Sequence, residues 1–226
     1  MGKKHIAIFD LDNTLIDVDQ RFWMLLKKNL LFVQQQTGKD QREKVEKLLQ
    51  HSPWLSMEEI CRHILSSRHP QYTYLVRQCV QHYYGGALED NIKILPGTYA
   101  VLRFLQQHHI ALYVVTYGDP LIQQRKIQQI GEQWFDGVYI TQDKKENIFR
   151  SLVQSSCVQQ ENCFVIGDKK QDEIAAGNHL GVSTIHFCYG RHAQQKSIEK
   201  PLYTVYNMRE LLHLFKTLLC SKISGR

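Results

Sequence analysis

The chain has 226 residues, 43% of them hydrophobic, and a formal net charge of +6. That is room for one large domain or a core with an insertion, at an ordinary globular composition. No window approaches the ~18–20 uninterrupted apolar residues of a membrane span, and the first apolar run is too short for a secretory signal. The positive residues are scattered, with no arginine–aromatic stripe. The charge therefore reads as a solvated basic surface around a site for an anionic substrate, with no nucleic acid and no membrane as partner.

The first predicted element is the strand-like run His5-Ile6-Ala7-Ile8-Phe9, followed by Asp10-Leu11-Asp12-Asn13-Thr14-Leu15. A short apolar run with β-branched residues fits a buried strand of a parallel sheet. Side chains alternate along a strand, so Asp10 and Asp12 point towards one region at its end. Two close carboxylates repel unless one is protonated or a cation lies between them. The pair suggests a nucleophile, an acid/base partner and a divalent metal. One helix N-cap would explain a single carboxylate and leave the second unexplained.

Residues 18–36 read as a helix carrying Phe22, Trp23, Leu25, Leu26, Leu30 and Val33, with further helical pieces at 41–50, 57–66 and 71–84. No strand alternation interrupts this stretch. Its tryptophans and tyrosines are assigned no role, since such residues more often pack in a core than stack on a substrate. Asp17-Val18 and Gly85-Gly86 are the predicted hinges. From residue 94 onward strands alternate with helices, the pattern of a parallel sheet covered on both faces. A helix opens at Leu95-Pro96-Gly97 and runs to about Gln107. The adjacent His108-His109 share no helix face and read as a turn.

Ile110-Ala111-Leu112-Tyr113-Val114-Val115 is the next strand, ending in Thr116-Tyr117-Gly118-Asp119-Pro120. A hydroxyl at a strand end, with a helix starting near Pro120, can cradle a phosphoryl group through the threonine and the backbone N–H groups. A strand at 138–141 precedes Lys144-Lys145, which open the helix 146–153. Lysine at a helix N-terminus opposes the helix dipole and needs a compensating anion; the alternative is a pair of solvated lysines. Residues 162–166 form another strand, leading into Gly167-Asp168, with Asp172 four residues on. Asp168 reads as a metal ligand. Asp172 supports the metal or stabilises the first helical turn. A fifth strand at 182–187 and a C-terminal helix at 207–219 complete the pattern. The six cysteines (Cys61, Cys79, Cys157, Cys163, Cys188, Cys220) show no paired metal spacing and read as reduced thiols of a cytoplasmic protein.

These four groups, in this order, resemble the motifs of the haloacid dehalogenase superfamily, whose members are mostly phosphatases working through an aspartyl phosphate. The resemblance implies an α/β fold: a Rossmann-like parallel sheet core over residues 1–16 and 95–226, with helices on both faces and an inserted helical cap over 17–94. It implies Asp10 as nucleophile and Asp12 as general acid and base. Mg²⁺ would be held by Asp10, the Asp12 backbone carbonyl and Asp168, with Asp172 in support. Thr116, Tyr117 and one lysine would bind phosphate. The lysine chosen from its distance to Phe149 is Lys144, with Lys145 as the alternative. Tyr117 stands where many relatives have Asn, and Lys169 where many have a small hydroxyl residue. The expected substrate is a small phosphorylated metabolite, and the expected assembly a monomer or homodimer. Asp12 argues against a true dehalogenase, which lacks that carboxylate. A phosphomutase of the same superfamily shares all four motifs and is the alternative enzyme. A non-catalytic binding protein on this fold is the alternative from another class, and it would retain idle buried carboxylates at a cost.

Overall fold

The computed structural model describes residues 3, 5–65, 70–85, 92–156, 158–193 and 195–221. The chain divides into two compact units, Met1–Asp17 with Ile92–Arg226, and Val18–Asn91.

The first unit is built on strands β1 (His5–Phe9), β2 (Ile16–Asp17), β3 (Lys93–Ile94), β4 (Ile110–Tyr117), β5 (Gly137–Thr141), β6 (Cys163–Gly167), β7 (Ser183–Phe187) and β8 (Tyr203–Val205). Six of them form one sheet in the order β5-β4-β1-β6-β7-β8, every pair parallel. β1 lies in the middle, with β4 on one side and β6 on the other. The chain winds outward in both directions from it, so the crevice at its carboxyl end is the topological switch point where such sheets bind ligands.

The second unit contributes helices α1 (Asp19–Thr37), α2 (Arg42–His51), α3 (Met57–Ile64) and α4 (Pro70–Gly85). The first unit contributes α5 (Thr98–Gln107), α6 (Pro120–Ile130), α7 (Glu146–Ser155), α8 (Ala175–His179) and α9 (Met208–Ser221). Alternation along the strands splits the sheet core in two. Ile6, Ile8, Val115 and Val165 pack with Phe149 and Leu152 of α7 and with Ala176 of α8. Phe164, on the opposite face of β6, meets Phe215 of α9 edge-on at 5.3 Å between ring centres. Helices thus cover both faces, as the apolar, nearly unbroken strands require.

The sheet has a sixth strand beyond the five that the sequence suggested. β8 is three residues long, too short for a visible period, and it is held by parallel pairing to β7. β2 and β3 also escaped the pattern. They pair antiparallel, Asp17 opposite Lys93, and the two side chains form an ion pair at 3.0 Å. Of the predicted hinges, Asp17 is therefore tied into a strand, Gly85 ends α4, and Gly86 lies outside the described residues.

In the helical unit, Phe22, Leu25, Leu26 and Val33 of α1 pack with Val45, Ile60, Cys61, Leu75 and Cys79. α3 begins with a capping box: the Ser56 hydroxyl accepts from the Glu59 N–H, and the Glu59 carboxylate accepts from the Ser56 N–H. Trp23 is 45% exposed, lying off the Phe22–Leu26 stripe of α1, and meets the Phe22 ring edge-on at 5.3 Å between centres. Cys157 lies outside the described residues; the other five cysteines are free thiols.

Candidate active site

Three strand ends meet at the switch point. Asp10 follows β1, Thr116 stands near the end of β4, and Asp168 follows β6. The Asp10 N–H donates to the Ile166 carbonyl at 2.9 Å, which carries the pairing with β6 one residue past the strand. The backbone then turns sharply at Asn13, at φ +57°. α7 brings its first turn to the same place.

The buried half of the site gathers around Lys145, the N-cap residue of α7. Its ammonium lies 2.6 Å from an Asp10 oxygen and 3.8 Å from Asp172, and it also contacts the Glu173 carboxylate. Burial alone would lower the Lys145 pKa, but the charges of Asp10, Glu173 and Asp172 outweigh it and hold the value well above normal. The lysine is a permanent cation, and Asp10 and Glu173 are the anions its place at a helix start demanded. Asp10 is pushed up to about 6, because burial and the neighbouring Glu173 together exceed the pull of Lys145. Asp168 is raised well above the usual carboxylate range by burial, then by repulsion from Asp10 and Glu173. The His186 ring, facing Asp168 from β7, donates through Nε2 to the Asp168 backbone carbonyl at 3.1 Å.

Gly167 makes this arrangement possible. A Cβ there would overlap the Glu173 side chain, so only glycine lets that carboxylate lie against the strand end. The close approach at Gly167 is thus made by Glu173.

The exposed half centres on Asp12, whose two oxygens each lie 2.8 Å from the Lys126 ammonium on α6. Burial opposes its ionisation, yet the Lys126 charge and hydrogen bonds prevail and hold its carboxyl below its usual value. Thr116 is buried, and its Oγ1 lies 2.8 Å from the side-chain nitrogen of Gln123, also on α6.

Asp10, Asp12, Thr116 and Asp168 thus stand at neighbouring strand ends. Of the two lysines named from the sequence, Lys144 is exposed, and Lys145, the alternative, holds the buried place beside Asp10. Phe149 is fully buried, and Lys145 precedes it by four residues, one helical turn on the same face; that spacing was the available signal. Asp172 lies at the rim, its side chain 37% exposed, and Glu173 takes the inner position. Tyr117 is 58% exposed; its carbonyl, not its ring, joins the network, accepting from Gln123 at 3.0 Å. Glu173, Gln123, Lys126 and His186 were missed. Local pattern carried no signal for any of them, since each depends on which helix or strand face meets the sheet edge.

The donor set fits a hard divalent cation. Carboxylate oxygens of Asp10, Asp168 and Glu173 all lie within 4.8 Å of one another. Both Asp168 oxygens are buried and, among the described residues, have no hydrogen-bond partner. An unpartnered buried carboxylate is expensive, and oxygen-only ligands are what Mg²⁺ selects.

Residues 7–187 match the haloacid dehalogenase-like hydrolase family. The glyceraldehyde 3-phosphate phosphatase of Pyrococcus furiosus is 22% identical, over 96% of this chain and 94% of that protein. The N-acylneuraminate-9-phosphatase of Mus musculus is 25% identical, over 97% of each. Among solved structures, Bacillus subtilis YfnB bound to magnesium superposes with a TM-score of 0.63 at 17% identity, covering 94% of this chain and 98% of that one.

Proposed function

The chain belongs to the haloacid dehalogenase-like hydrolases, and from that premise we propose that it is a Mg²⁺-dependent phosphomonoester hydrolase acting on a small phosphorylated metabolite through an aspartyl phosphate on Asp10. The observation that carries this reading is the buried, unpartnered Asp168 carboxylate beside Asp10 and Lys145 at the switch point. The names of the Pyrococcus and mouse relatives support phosphorylated metabolites as the substrate class.

Asp10, Asp168 and the Asp12 carbonyl would hold the metal, with Glu173 and Asp172 nearby. A bound divalent ion supplies positive charge that offsets the repulsion between the carboxylates and an incoming phosphate. The remaining steps belong to the side chains. An Asp10 oxygen attacks phosphorus, and the P–O bond to the leaving group breaks as Asp12 gives that oxygen a proton. Asp12 then takes a proton from the water that attacks the aspartyl phosphate, releasing inorganic phosphate and restoring Asp10. Without substrate Asp12 is held ionised, the form needed for the second step. A doubly negative phosphate beside it opposes that charge and favours the protonated form needed for the first. Lys145 and the Thr116 hydroxyl stabilise charge on the transferring oxygens. The helical unit Val18–Asn91, inserted between the Asp10 and Thr116 motifs, is read as the cap that sets substrate choice.

The test is hydrolysis of para-nitrophenyl phosphate with Mg²⁺ and with excess chelator. Turnover that stops on chelation and returns with Mg²⁺ is expected. Undiminished turnover in chelator would sink the metal-dependent mechanism.

A further inference from the structure

We infer that Lys126 and Gln123, two residues on one face of α6, are positioning residues: Lys126 fixes the Asp12 carboxylate and Gln123 fixes the Thr116 hydroxyl. The inference rests on the phosphatase reading and assigns that site two members from a helix outside its four motifs.

The geometry is specific. Residues three apart on a helix are neighbours, so one helix face reaches two strand ends at once. The α6 register is set at its start, where the Asp119 side chain accepts from the Leu121 and Ile122 N–H groups and Pro120 occupies the first turn. The Lys126 side chain is 13% exposed. Among the described residues Asp12 is its sole ion-pair partner, gripped by both oxygens at 2.8 Å. A one-point contact would leave the carboxylate free to rotate; this two-point contact does not.

Gln123 is buried, and its nitrogen faces three acceptors: Thr116 Oγ1 at 2.8 Å, the Tyr117 carbonyl at 3.0 Å and Asp12 Oδ2 at 3.4 Å. The carbonyl and the carboxylate only accept, so the amide nitrogen and not its oxygen points this way. The Thr116 hydroxyl therefore accepts from Gln123, and its own hydrogen is left to donate to a phosphoryl oxygen. Gly118 gives the amide room: at φ +149°, a Cβ there would come within 3.2 Å of both Gln123 Cγ and its side-chain nitrogen. The Gln123 oxygen is buried with no hydrogen-bond partner among the described residues, a cost that folding alone would remove by an apolar substitution. Docking of α6 needs neither residue, because Ile127 and Ile130 already bury its apolar face.

The experiment compares kcat/KM for para-nitrophenyl phosphate and phenyl phosphate, which are close in shape but differ in how much the leaving oxygen needs a proton. This ratio reports the phosphorylation step. Misplacing a catalytic group by ~1 Å can cost ~10²-fold, so Lys126→Met should lower kcat/KM about that much on phenyl phosphate. The loss on para-nitrophenyl phosphate should be about tenfold smaller, because little protonation is needed there. Lys126→Arg, which also offers two donors to a carboxylate, should restore the ratio. A merely structural lysine would lower both substrates equally, and that result overturns the inference. Should Lys126→Met lose cooperative unfolding, Lys126→Gln carries the same expectation. If the wild-type protein hydrolyses neither ester, the phosphatase reading itself has failed, a result distinct from an unchanged ratio. Gln123→Leu should weaken inhibition by inorganic phosphate severalfold while leaving the substrate ratio in place; unchanged inhibition removes the role given to Gln123.

Discussion

Asp10 and Asp12 leave the same strand two residues apart, and each meets a lysine. Asp10 shares Lys145 with Glu173, lies beside Asp168, and is 4% exposed. Among the described residues Asp12 is the sole ion-pair partner of Lys126, and it keeps 34% of its side chain in solvent. The outcome is opposite in sign: Asp10 is pushed up to about 6, and Asp12 falls below its usual value. The difference shows that a nearby lysine does not by itself settle a carboxylate's charge. The number of carboxylates competing for that lysine, and the water they have lost, decide it. In the buried half, three carboxylates share the Lys145 ammonium and the charge of nearby Lys169, and negative charge is left over. In the exposed half the charges match one to one. The first arrangement calls for a further cation, and the second suits the proton-transfer role proposed for Asp12.

The sharpest break of this comparison is at Asp10. Asp10→Asn should take turnover below detection and give no phosphoenzyme by intact mass after acid quench. An added phosphate on that variant would overturn the choice of nucleophile. Asp12→Asn should be milder, since general acid–base groups contribute ~10²–10⁴-fold. With para-nitrophenyl phosphate, which needs little protonation, it should accumulate phosphoenzyme, visible as a mass increase. Equal occupancy in Asp12→Asn and wild type would deny Asp12 its part in hydrolysing the intermediate.

Lys145→Met tests the buried half directly. Removing one partner of a buried ion pair costs about 3–5 kcal/mol, to be read by urea unfolding in metal-free buffer. Mg²⁺ should act on the same excess charge. A ligand at 100 times its Kd stabilises by ~2.7 kcal/mol, so saturating Mg²⁺ should raise the unfolding midpoint of wild type. Asp168→Asn should lose most of that rise; an undiminished rise would place the ion elsewhere. The smallest effect belongs to Lys144→Met, which should stay within about 0.5 kcal/mol as an exposed substitution does. A large loss there would return the phosphate-binding role to Lys144.

Legibility followed locality. Asp10, Asp12, Thr116 and Asp168 were readable because each sits where an apolar run ends, and a strand end projects its next residues into the crevice of a parallel sheet. Lys145 was within reach, since Phe149 one turn later marks the buried face of α7. Glu173 was not. The segment Lys170–Ile174 is a π-helix, and the Ile174 N–H reaches back five residues to the Lys169 carbonyl. That wider turn changes the facing of everything after Asp168, so counting four residues on stops at Asp172, at the rim.

By itself, then, the order of residues determined the alternating strands and helices, the helical insertion between the first two motifs and the carboxylates at the strand ends. All of these follow from periodicities of two and 3.6 residues and from local turn chemistry. Tertiary structure decided which lysine is buried, which acid faces it, and that Lys126 and Gln123 meet Asp12 and Thr116. Lys126 lies 114 residues from Asp12 along the chain, and helix periodicity says which residues share a face without saying what that face will meet. Only the packing of α6 against the ends of β1 and β4 brings the two together.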